Sequence, residues 1–542
     1  MTSHRLLPTA PPPSKEILEK WLDHQGVVRG GGLRIVDMED GTGWKLVSET
    51  EMDLGELICA IPKTSILSHR TSSLPPLPTL PSPTDPTNAN EESMNSHTIL
   101  HLSLCLLHEF RLGAQSPFYG YIQSLPRDII GLPIFWDIPE ICGEDGRKAW
   151  RWLKGTEGER ELKMREEQGL GLTNIQSFYT HYYPHLPPTP SHPSPSPISS
   201  FYHCLSLIST RAFMIDLYHL IALCPFADIL NHSSSTPNTS LSSDDFVCHL
   251  CGSLKTCEHD ITNSDGMAYR LLHLLPREIS RIEEEENDTI ELRVERPLVE
   301  AGGTGGEMEV WNSYGDNLGD AKLLVEWGFI SEEYTGDGIM WDLEGLGLGL
   351  GREGMEEVWE MVDECARIME NDSVVSRNDE AKDKNEETLL CAQSEHNPRM
   401  LSLDQSGRLS INIFSMLWLN HSGLSSSEEE EGLNVPSLVR AIKAVEDLWR
   451  TINDDGEADL ARLEGIHDKM IRVVRGIIDL LNRRKKSMYR PELSPERLFE
   501  MRDALSPTDR YQYMAMTLSI NERVLLNSTL NKWNEILDLI TV

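Results

Sequence analysis

Two segments constrain this chain more than any other feature, because each places polar residues at the end of an apolar run. The first is Ala227–Ser233, which reads Ala-Asp-Ile-Leu-Asn-His-Ser. The second is Glu309–Phe329, which contains Asn-Ser-Tyr-Gly and ends in Trp-Gly-Phe. Burying a polar side chain without a hydrogen-bond partner is costly. We therefore expect both segments to meet a partner, which is either another part of the fold or a ligand.

Residues 15–340 predict a meander of short strands that is interrupted by helices. The opening stretch, Lys15–Gly26, has the apolar spacing of an amphipathic helix. The strand signals that follow are separated by turn sequences and lie at Leu33–Val36, Trp44–Ser48 and Leu57–Ile61. A mostly helical insertion, about 97–200, follows one Pro- and Ser-rich stretch and ends in another. A further apolar helix is predicted over Phe201–Ile221.

The two ends of the chain differ from this strand-rich part. Residues 1–14 are Pro-rich, so we expect a disordered N-terminus without the apolar centre of a secretory signal. Residues 350–542 have the apolar periodicity of helices throughout, which predicts an all-helical C-terminal domain. The predicted fold class is therefore α+β, with short strands and a helical insertion followed by an all-α domain.

The charge balance and the cysteine content narrow the class of protein. The chain has 49 basic and 86 acidic residues, a formal charge of −37. Such a charge disfavours a nucleic-acid partner and favours a basic protein partner. The alternative is that the charge contributes to solubility and indicates no partner. No apolar run reaches the length of a membrane span. Ten cysteines in 542 residues are too few for a disulfide scaffold, so the expected compartment is the cytosol, the nucleus or both.

Several common enzyme motifs are missing from the sequence. We find no P-loop, no dinucleotide-binding glycine fingerprint, no Gly-x-Ser-x-Gly elbow and no His-Glu-x-x-His pair. The glycine-rich stretch Gly345–Gly351 lacks the Lys and the Ser or Thr that complete a P-loop, so we interpret it as an interdomain turn. The sequence therefore gives no support to nucleotide hydrolysis, a Rossmann cofactor, serine hydrolysis or zinc-peptidase chemistry.

Three separated regions, taken in order, resemble a SET domain. They are the opening Gly43–Ser48 with Gly55–Pro62, the Asp-x-x-Asn-His-Ser segment Ala227–Ser233, and the closing pair Asn312–Gly315 with Trp327–Phe329. The order of these regions is similar to the subgroup related to the Rubisco large-subunit lysine methyltransferase. That subgroup has a split SET domain, a helical insert and a helical C-terminal substrate-binding domain. The same three parts are predicted for this chain.

The resemblance implies methyl transfer from S-adenosylmethionine to the ε-amine of a protein lysine. It implies that Asn231, His232 and Arg211 contact the cofactor, since an amide pairs with polar edges and a guanidinium with a carboxylate. It also implies that the chain near Thr42 and Trp44 approaches the cofactor through backbone groups. The structural alternatives are that Asn231 and His232 pin a loop, and that Arg211 lies on a solvated helix face.

The resemblance implies that Tyr314 is the catalytic residue and also lies against the cofactor. Its hydroxyl would orient the amine and favour the charge that develops during transfer. Phe213, Trp327 and Phe329 would form the channel for the substrate lysine, because ring faces accommodate both an alkyl stem and a cation. Phe213 favours lysine over histidine, since the histidine-methylating relative has a polar residue there.

This sequence departs from the family pattern at positions that matter for the chemistry. Lys45 stands where the family usually has a second glycine, and Ser48 where it has alanine. Trp327 replaces the usual tyrosine, which keeps an aromatic wall but removes a hydroxyl. These departures affect the approach of the backbone to the cofactor and the wall of the lysine channel.

A cysteine-rich insertion, about 246–262, is independent of the resemblance. Its pattern Cys248-x2-Cys251-x5-Cys257-x-His259 offers four soft ligands within twelve residues. Four such ligands suffice for one tetrahedral zinc ion. The alternative is that they are ordinary free thiols in an insertion.

Two functions from different classes follow from the sequence. The first is a protein-lysine N-methyltransferase that acts on a non-histone protein, such as a ribosomal protein or an elongation factor, a substrate class that the resemblance implies. Histones stay open as an alternative substrate. The second is a catalytically inactive SET fold that binds a protein. Lys45 and Trp327 favour the inactive form, whereas the retained Asn231, His232 and Tyr314 favour the enzyme.

Overall fold

The computed structural model of the chain divides into two compact units. It describes residues 14–39, 43–77, 91–188, 197–244, 246–284, 288–299, 307–315, 318–331, 338–347, 352–376, 388–391, 398–420, 435–453 and 460–541. The first unit comprises residues 1–146, 161–318 and 322–333, and the second comprises residues 147–160, 319–321 and 334–542. Residues 1–13 of the predicted N-terminal tail and Thr42 lie outside the described residues.

The first unit combines short strands with the helices of the predicted insertion. Its strands are β1 (Val28–Arg29), β2 (Leu33–Asp37), β3 (Trp44–Ser48), β4 (Leu57–Pro62), β5 (Leu67–Ser68), β6 (Ala212–Met214), β7 (Ile221–Leu223), β8 (Asn231–His232), β9 (Thr239–Ser242), β10 (Thr289–Val294), β11 (Met308–Glu309) and β12 (Trp311–Asn312). Its helices are α1 (Lys15–His24), α2 (Glu91–Leu112), α3 (Tyr119–Ile122), α4 (Pro139–Trp152), α5 (Glu157–Arg165), α6 (Leu172–Tyr182), α7 (Ile198–Arg211), α8 (Pro276–Glu284) and α9 (Asp320–Trp327). One end of α4, of α5 and of α9 falls in the second unit.

The strands form several small sheets instead of one large one. One sheet has the order β1-β4-β10-β9, a second has the order β11-β3-β2, and a third has the order β5-β7-β6. Strands β12 and β8 form a parallel pair. This pair joins parts of the sequence that are about eighty residues apart, so it must form after the intervening chain has turned back.

Local sequence explains the elements that were predicted well. Ser14 caps α1 by accepting a hydrogen bond from the Ile17 amide, and Leu18 and Leu22 are fully buried on one face of the helix. In β10, Ile290, Leu292 and Val294 are buried, which is the alternation of a strand with one face on a core. The signals for β2, β3 and β4 likewise appear as strands within a residue or so of the predicted bounds.

The predicted helix over Phe201–Ile221 is wrong in its second half. Helix α7 ends at Arg211, and the chain continues as the antiparallel pair β6 and β7, in which Phe213 lies opposite Ala222. Asp216 builds the turn between these strands, because its Oδ1 accepts hydrogen bonds from the backbone amides of Tyr218 and His219 at 2.9 Å and 2.7 Å. An aspartate that bonds the amides ahead of it competes with the helix and favours a turn.

The second unit is mainly helical, but it also contains strands. Its helices are α10 (Leu343–Leu346), α11 (Arg352–Ser376), α12 (Ile411–Asn420), α13 (Val435–Asn453), α14 (His467–Ser487), α15 (Pro495–Asp503) and α16 (Arg510–Thr541). Two-residue strands form a small sheet in the order β13-β15-β16-β14, namely β13 (Ile339–Met340), β14 (Leu390–Cys391), β15 (Ser402–Leu403) and β16 (Leu409–Ser410). The domain is therefore not all-helical as predicted. Strands of two residues leave no periodic signal in a sequence.

One contiguous hydrophobic core supports the helices of the second unit. Val358, Phe414, Leu438, Val473 and Trp533 belong to it and come from five different helices. Among the described helices, the apolar stretches are too short or too polar to cross a bilayer.

Candidate active site

The parallel pair of β8 and β12 brings together the two segments that were singled out in the sequence. Trp311 lies opposite Asn231, and Asn312 opposite His232. The backbone amide of Ser233 donates a hydrogen bond to the Asn312 carbonyl at 3.0 Å. The two segments therefore satisfy part of each other's hydrogen-bonding capacity. Each segment is thus one of the hydrogen-bond partners that we expected for the other.

Tyr314 is fixed to the Asn-His segment at two points. Its backbone N–H donates to Nδ1 of His232 at 3.1 Å, and its hydroxyl donates to the Leu230 carbonyl at 3.0 Å. Since Nδ1 of His232 accepts, the proton of the neutral ring lies on Nε2, which donates to Oγ of Ser234 at 2.7 Å. These contacts set both the tautomer of His232 and the direction of the Tyr314 ring.

The Tyr314 hydroxyl stays protonated at physiological pH. Burial raises the pKa of Tyr314 to about 12, against the opposing effect of the nearby Arg211 cation. A phenol with such a pKa donates and accepts hydrogen bonds but does not serve as a phenolate base near pH 7. Tyr314 can therefore orient a reacting group without itself carrying a charge.

Three aromatic rings meet around Tyr314 and form a group of four with it. Trp327 stacks on it with ring centroids 5.6 Å apart and an interplanar angle of 26°, and Phe329 stands nearly perpendicular to it at 6.3 Å and 81°. The His232 ring completes the group, at 5.1 Å from Tyr314 and 6.2 Å from Phe329. All four residues are half-buried. Together they offer several ring faces to a group of the size of an alkylamine.

A helix end and a glycine position two of these rings. Trp327 is the last residue of α9, and the amide of Gly328 closes the helix by donating to the carbonyls of Leu323 and Leu324, both at 3.0 Å. Gly328 has φ +81°, a left-handed conformation that favours glycine. This reversal turns the chain so that Phe329 comes back beside Tyr314.

Asn231 bonds to Glu309. Its Nδ2 donates to Oε1 of Glu309 at 2.9 Å, and the other carboxylate oxygen pairs with Nζ of Lys45 at 3.0 Å. Lys45, which departs from the family glycine, thus has a partner within the fold. The carboxylate links β3, β8 and β11, so it holds Asn231 in one orientation.

Arg211 lies at the end of α7 beside a buried carboxylate. Its Nη1 donates to the Asp228 carbonyl at 2.7 Å and lies 3.4 Å from Oδ2 of the same residue. The hydroxyl of Tyr121 donates to that Oδ2 at 2.9 Å. Burial raises the pKa of Asp228, and the Arg211 cation opposes the rise. Among the described residues, the buried Nε of Arg211 has no hydrogen-bond partner.

The remaining predicted residues lie on nearby elements of the same unit. Phe213 is half-buried in the middle of β6, two residues after Arg211. Trp44 begins β3, and the Lys15 ammonium lies 6.0 Å from its ring centroid. Thr42 is outside the described residues. The possible metal ligands Cys248, Cys251, Cys257 and His259 come together in the segment between β9 and β10, with their ligand atoms within 4.8 Å of one another.

Two residues of this arrangement were not selected from the sequence. Glu309 could have been suspected, because it directly precedes the Val-Trp-Asn-Ser-Tyr-Gly run. No local sequence pattern pointed to Tyr121 as a residue of the site, since it lies 107 residues before its partner Asp228 in the chain. It is completely buried in α3, where a tyrosine hydroxyl needs a partner.

Two solved structures match almost the whole chain. The crystal structure of the SET domain of LSMT bound to lysine and AdoHcy matches with a TM-score of 0.54, at 13% identity, over 97% of this chain and 92% of that one. The same domain bound to methyllysine and AdoHcy gives a TM-score of 0.53, at 13% identity, over 98% and 94%. The chain has the SET-domain fold. The predicted α+β class and the resemblance to LSMT are therefore confirmed at the level of the fold.

The sequence comparisons are more limited than the structural ones. The chain is 32% identical over 153 residues to ribosomal lysine N-methyltransferase 3 of Saccharomyces cerevisiae. That match covers 23% of this chain and 28% of the yeast protein. No family model matches the chain.

Proposed function

We propose that this SET-fold chain is an S-adenosylmethionine-dependent protein-lysine N-methyltransferase. The observation that carries the proposal is the neutral Tyr314 hydroxyl, held beside the Asn231–His232 segment and faced by the rings of Trp327 and Phe329. Two further facts support it. The matching SET-domain structures hold AdoHcy with lysine or methyllysine, and the yeast relative is called a lysine N-methyltransferase.

The residues of this site fit the proposed cofactor. S-adenosylmethionine, when bound, supplies a methyl group on a positively charged sulfur, and the sulfur can leave as a neutral thioether when a neutral amine bonds to the methyl carbon. Its amino-acid end carries a carboxylate, and Nε of Arg211 is a buried donor without a partner among the described residues. Asn231 and His232 would bind the same molecule through their amide, ring and backbone groups. Backbone groups beside Trp44, and the predicted ones near Thr42, would complete this set.

The chain's own contribution to transfer is positioning. The ring faces of Trp327 and Phe329 would pack along the aliphatic stem of a lysine and stabilise the cation that forms. Phe213 would line the same channel. The Tyr314 hydroxyl, which stays neutral, would align the lysine nitrogen without competing for the methyl group as a phenolate. Aromatic side chains also exclude water from the reacting atoms. By fixing the lysine stem, they would also hold the nitrogen close to a productive geometry.

The substrate would be a basic non-histone protein. The formal charge of −37 favours association with a lysine-rich partner through long-range attraction. The name of the yeast relative points to a ribosomal protein, although the match spans only 28% of that relative. The same charge disfavours nucleic acid as a partner. A cytosolic or nuclear location suits the ten cysteines, each of which is free in this structure.

The test is transfer of a labelled methyl group from S-adenosylmethionine to proteins of a cell extract, with wild type and Tyr314→Phe compared. We expect the variant to lose at least about tenfold in rate, which is roughly 1.4 kcal/mol of transition-state stabilisation. Tyr513→Phe is the matched control, because Tyr513 is 44% exposed on α16. Undiminished transfer by Tyr314→Phe would refute the role of Tyr314.

The alternative is an inactive SET fold that binds a protein. Its support is the pairing of Lys45 with Glu309, because that carboxylate also engages Asn231. Calorimetry with S-adenosylmethionine distinguishes the two functions. If the chain is the enzyme, wild-type protein binds S-adenosylmethionine and transfers its methyl group to a protein of the extract. If it is the inactive module, wild-type protein neither binds the cofactor nor methylates any protein of the extract.

A further inference from the structure

The segment 246–284 has a hydrophobic core too small to hold it folded. It belongs to the first unit and connects β9 to β10, two strands that pair with Ser242 opposite Glu291. Val247, Leu254 and Ile282 form its one described hydrophobic cluster, with Phe246, Leu274 and Tyr218 partly buried against them. Ala268 and Leu271 are buried outside that cluster. Segments of about forty residues with so little core usually need a disulfide, a metal or a partner.

Four ligand atoms come together in this segment. Sγ of Cys251 and Sγ of Cys257 are 3.6 Å apart, and Sγ of Cys257 and Nδ1 of His259 are 3.7 Å apart. All four ligand atoms, including Sγ of Cys248, lie within 4.8 Å of one another. Zinc–sulfur bonds of about 2.3 Å in a tetrahedron place two sulfur atoms about 3.8 Å apart, which is close to the two separations of 3.6 Å and 3.7 Å.

The backbone already has the turn that a Cys-x2-Cys pair needs. The amide of Gly252 donates to the Cys248 carbonyl at 2.7 Å, and the amide of Cys248 donates to the Ser253 carbonyl at 2.9 Å. Gly252 has φ +73°, and a Cβ there would lie 2.6 Å from Cδ1 of Tyr218. The glycine is therefore required both by the turn and by the close approach of Tyr218.

A half-buried ion pair holds the second half of the ligand set. Asp260 accepts from the Cys257 amide at 2.8 Å and from Nε of Arg270 at 2.8 Å. Arg270 also donates to the Leu254 and Lys255 carbonyls at 3.1 Å and 2.8 Å. These bonds fix the residues between Cys251 and Cys257 and bring His259 toward the thiols.

We propose that Cys248, Cys251, Cys257 and His259 bind one zinc ion that holds the segment 246–284 in its fold. The four side chains complete a tetrahedron and leave no position for a substrate or a catalytic water, so the ion is structural. Each cysteine binds as a thiolate and releases its proton to solvent.

The proposed site has a consequence for the neighbouring turn. Tyr218, against which Gly252 packs, belongs to the turn between β6 and β7. The Arg70 guanidinium also lies against this ring, 4.6 Å from the Tyr218 ring centroid. Loss of the metal should therefore loosen residues 216–219 together with the segment itself, and leave the helices of the second unit unchanged.

The experiment measures the metal in the full chain, purified under reducing conditions without chelators. We expect about one equivalent of zinc in wild type and in Cys391→Ser, whose thiol lies in the second unit, and less than about a fifth of an equivalent in Cys251→Ser. Cys251 is exposed, so this substitution leaves the apolar core intact. Hydrogen exchange on chelator-treated wild type should show faster exchange in 246–284 and 216–219 only.

Cobalt titration of the metal-free chain keeps the test valid if a variant fails to fold. Cobalt in a site with three thiolates gives tetrahedral ligand-field bands and thiolate charge-transfer bands, and one equivalent should saturate them. Two outcomes would overturn the proposal. One is less than about a tenth of an equivalent of zinc together with no tetrahedral cobalt spectrum. The other is an intact mass lower by two hydrogen atoms, which would indicate a disulfide between two of the thiols.

Discussion

At the scale of single residues, Trp327 is the position where this chain departs most clearly from the family pattern near the proposed chemistry. The indole takes the place of a phenol and stacks on Tyr314, with ring centroids 5.6 Å apart. A stacked pair contributes about 0.5–1.5 kcal/mol beyond the area that it buries. Contact with a cation adds about 0.5–1 kcal/mol. In the proposed lysine channel the indole would thus serve as a wall in place of the phenol, without needing the lost hydroxyl.

Two substitutions at Trp327 should differ in their effect on the proposed methyl transfer. Trp327→Ala should lower kcat/KM for a lysine substrate about tenfold, mainly through a higher KM, because one ring face of the channel is lost. Trp327→Tyr should stay within about threefold of wild type, since it keeps a ring face. Steady-state methyl transfer measures both, with Trp150→Ala as control because Trp150 is 41% exposed. Equal losses in the Ala and Tyr variants would mean that the indole N–H, and not the ring face, matters.

The residues of the candidate site could be proposed from the sequence, but the hydrogen bonds that join them to distant partners could not. Asn231, His232 and Tyr314 stand in short runs whose polarity is unusual for their surroundings, and that signal is local. The bonds of Asn231 to Glu309 and of Asp228 to Tyr121 join positions 78 and 107 residues apart. Such pairings depend on how β8, β11 and α3 pack, and no spacing in the sequence expresses that.

At the scale of elements, prediction succeeded where local periodicity and capping agree and failed where a side chain redirects the backbone. Helix α1 and strands β2 to β4 follow their patterns. The apolar run after Phe201 has the composition of one helix, yet Asp216 diverts the chain into the pair β6 and β7. That turn receives further support from Lys63, whose Nζ lies 2.8 Å from Oδ2 of Asp216 and is almost completely buried. The diversion brings Phe213 onto a strand beside the end of α7.

Helix α2 carries the half-buried His101 and helix α7 the buried His203, and both should make the first unit sensitive to acid. Burial lowers the pKa of His101 on α2 to about 4 and the pKa of His203 on α7 to about 4. Burial also lowers the pKa of His69, which lies just after β5, to about 3. The folded pKa values lie below the unfolded value near 6.5, so the unfolded chain binds protons first as the pH falls. Stability is therefore complete above about pH 6.5 and declines toward about pH 4.

The substitution His203→Gln isolates the contribution of one histidine to the pH dependence of the free energy of unfolding. Nε2 of His203 bonds to the Pro126 carbonyl at 2.8 Å, and a glutamine amide can replace that donor without titrating. Between about pH 7 and about pH 5.5 the free energy of unfolding of wild type should fall by about 1 kcal/mol more than that of the variant. Urea unfolding at the two pH values measures this difference, and His24→Gln at the exposed end of α1 is the control. Parallel behaviour of His203→Gln and wild type would mean that His203 is not held neutral in the fold.

At the scale of the whole molecule, the excess of acidic residues is the property that no single site explains. With 86 acidic and 49 basic residues, the field of the chain would attract the proposed basic substrate before any specific contact forms. Charges separated by more than about 10 Å are screened at 0.1 M salt, so this attraction should weaken with ionic strength while contacts inside the site persist. The two contributions can therefore be separated by salt.

The salt dependence of the proposed methyl transfer should distinguish long-range attraction from contacts inside the site. We compare two peptides that present one lysine in the same immediate sequence, one with basic and one with neutral flanks. Raising the salt from about 20 mM to about 200 mM should lower kcat/KM for the basic peptide several-fold and leave kcat nearly unchanged, because association and not chemistry is screened. The neutral peptide should change by less than about twofold. An equal response of both peptides would assign the acidic surface to solubility alone, while loss of turnover with both peptides at low salt would instead count against the enzyme itself.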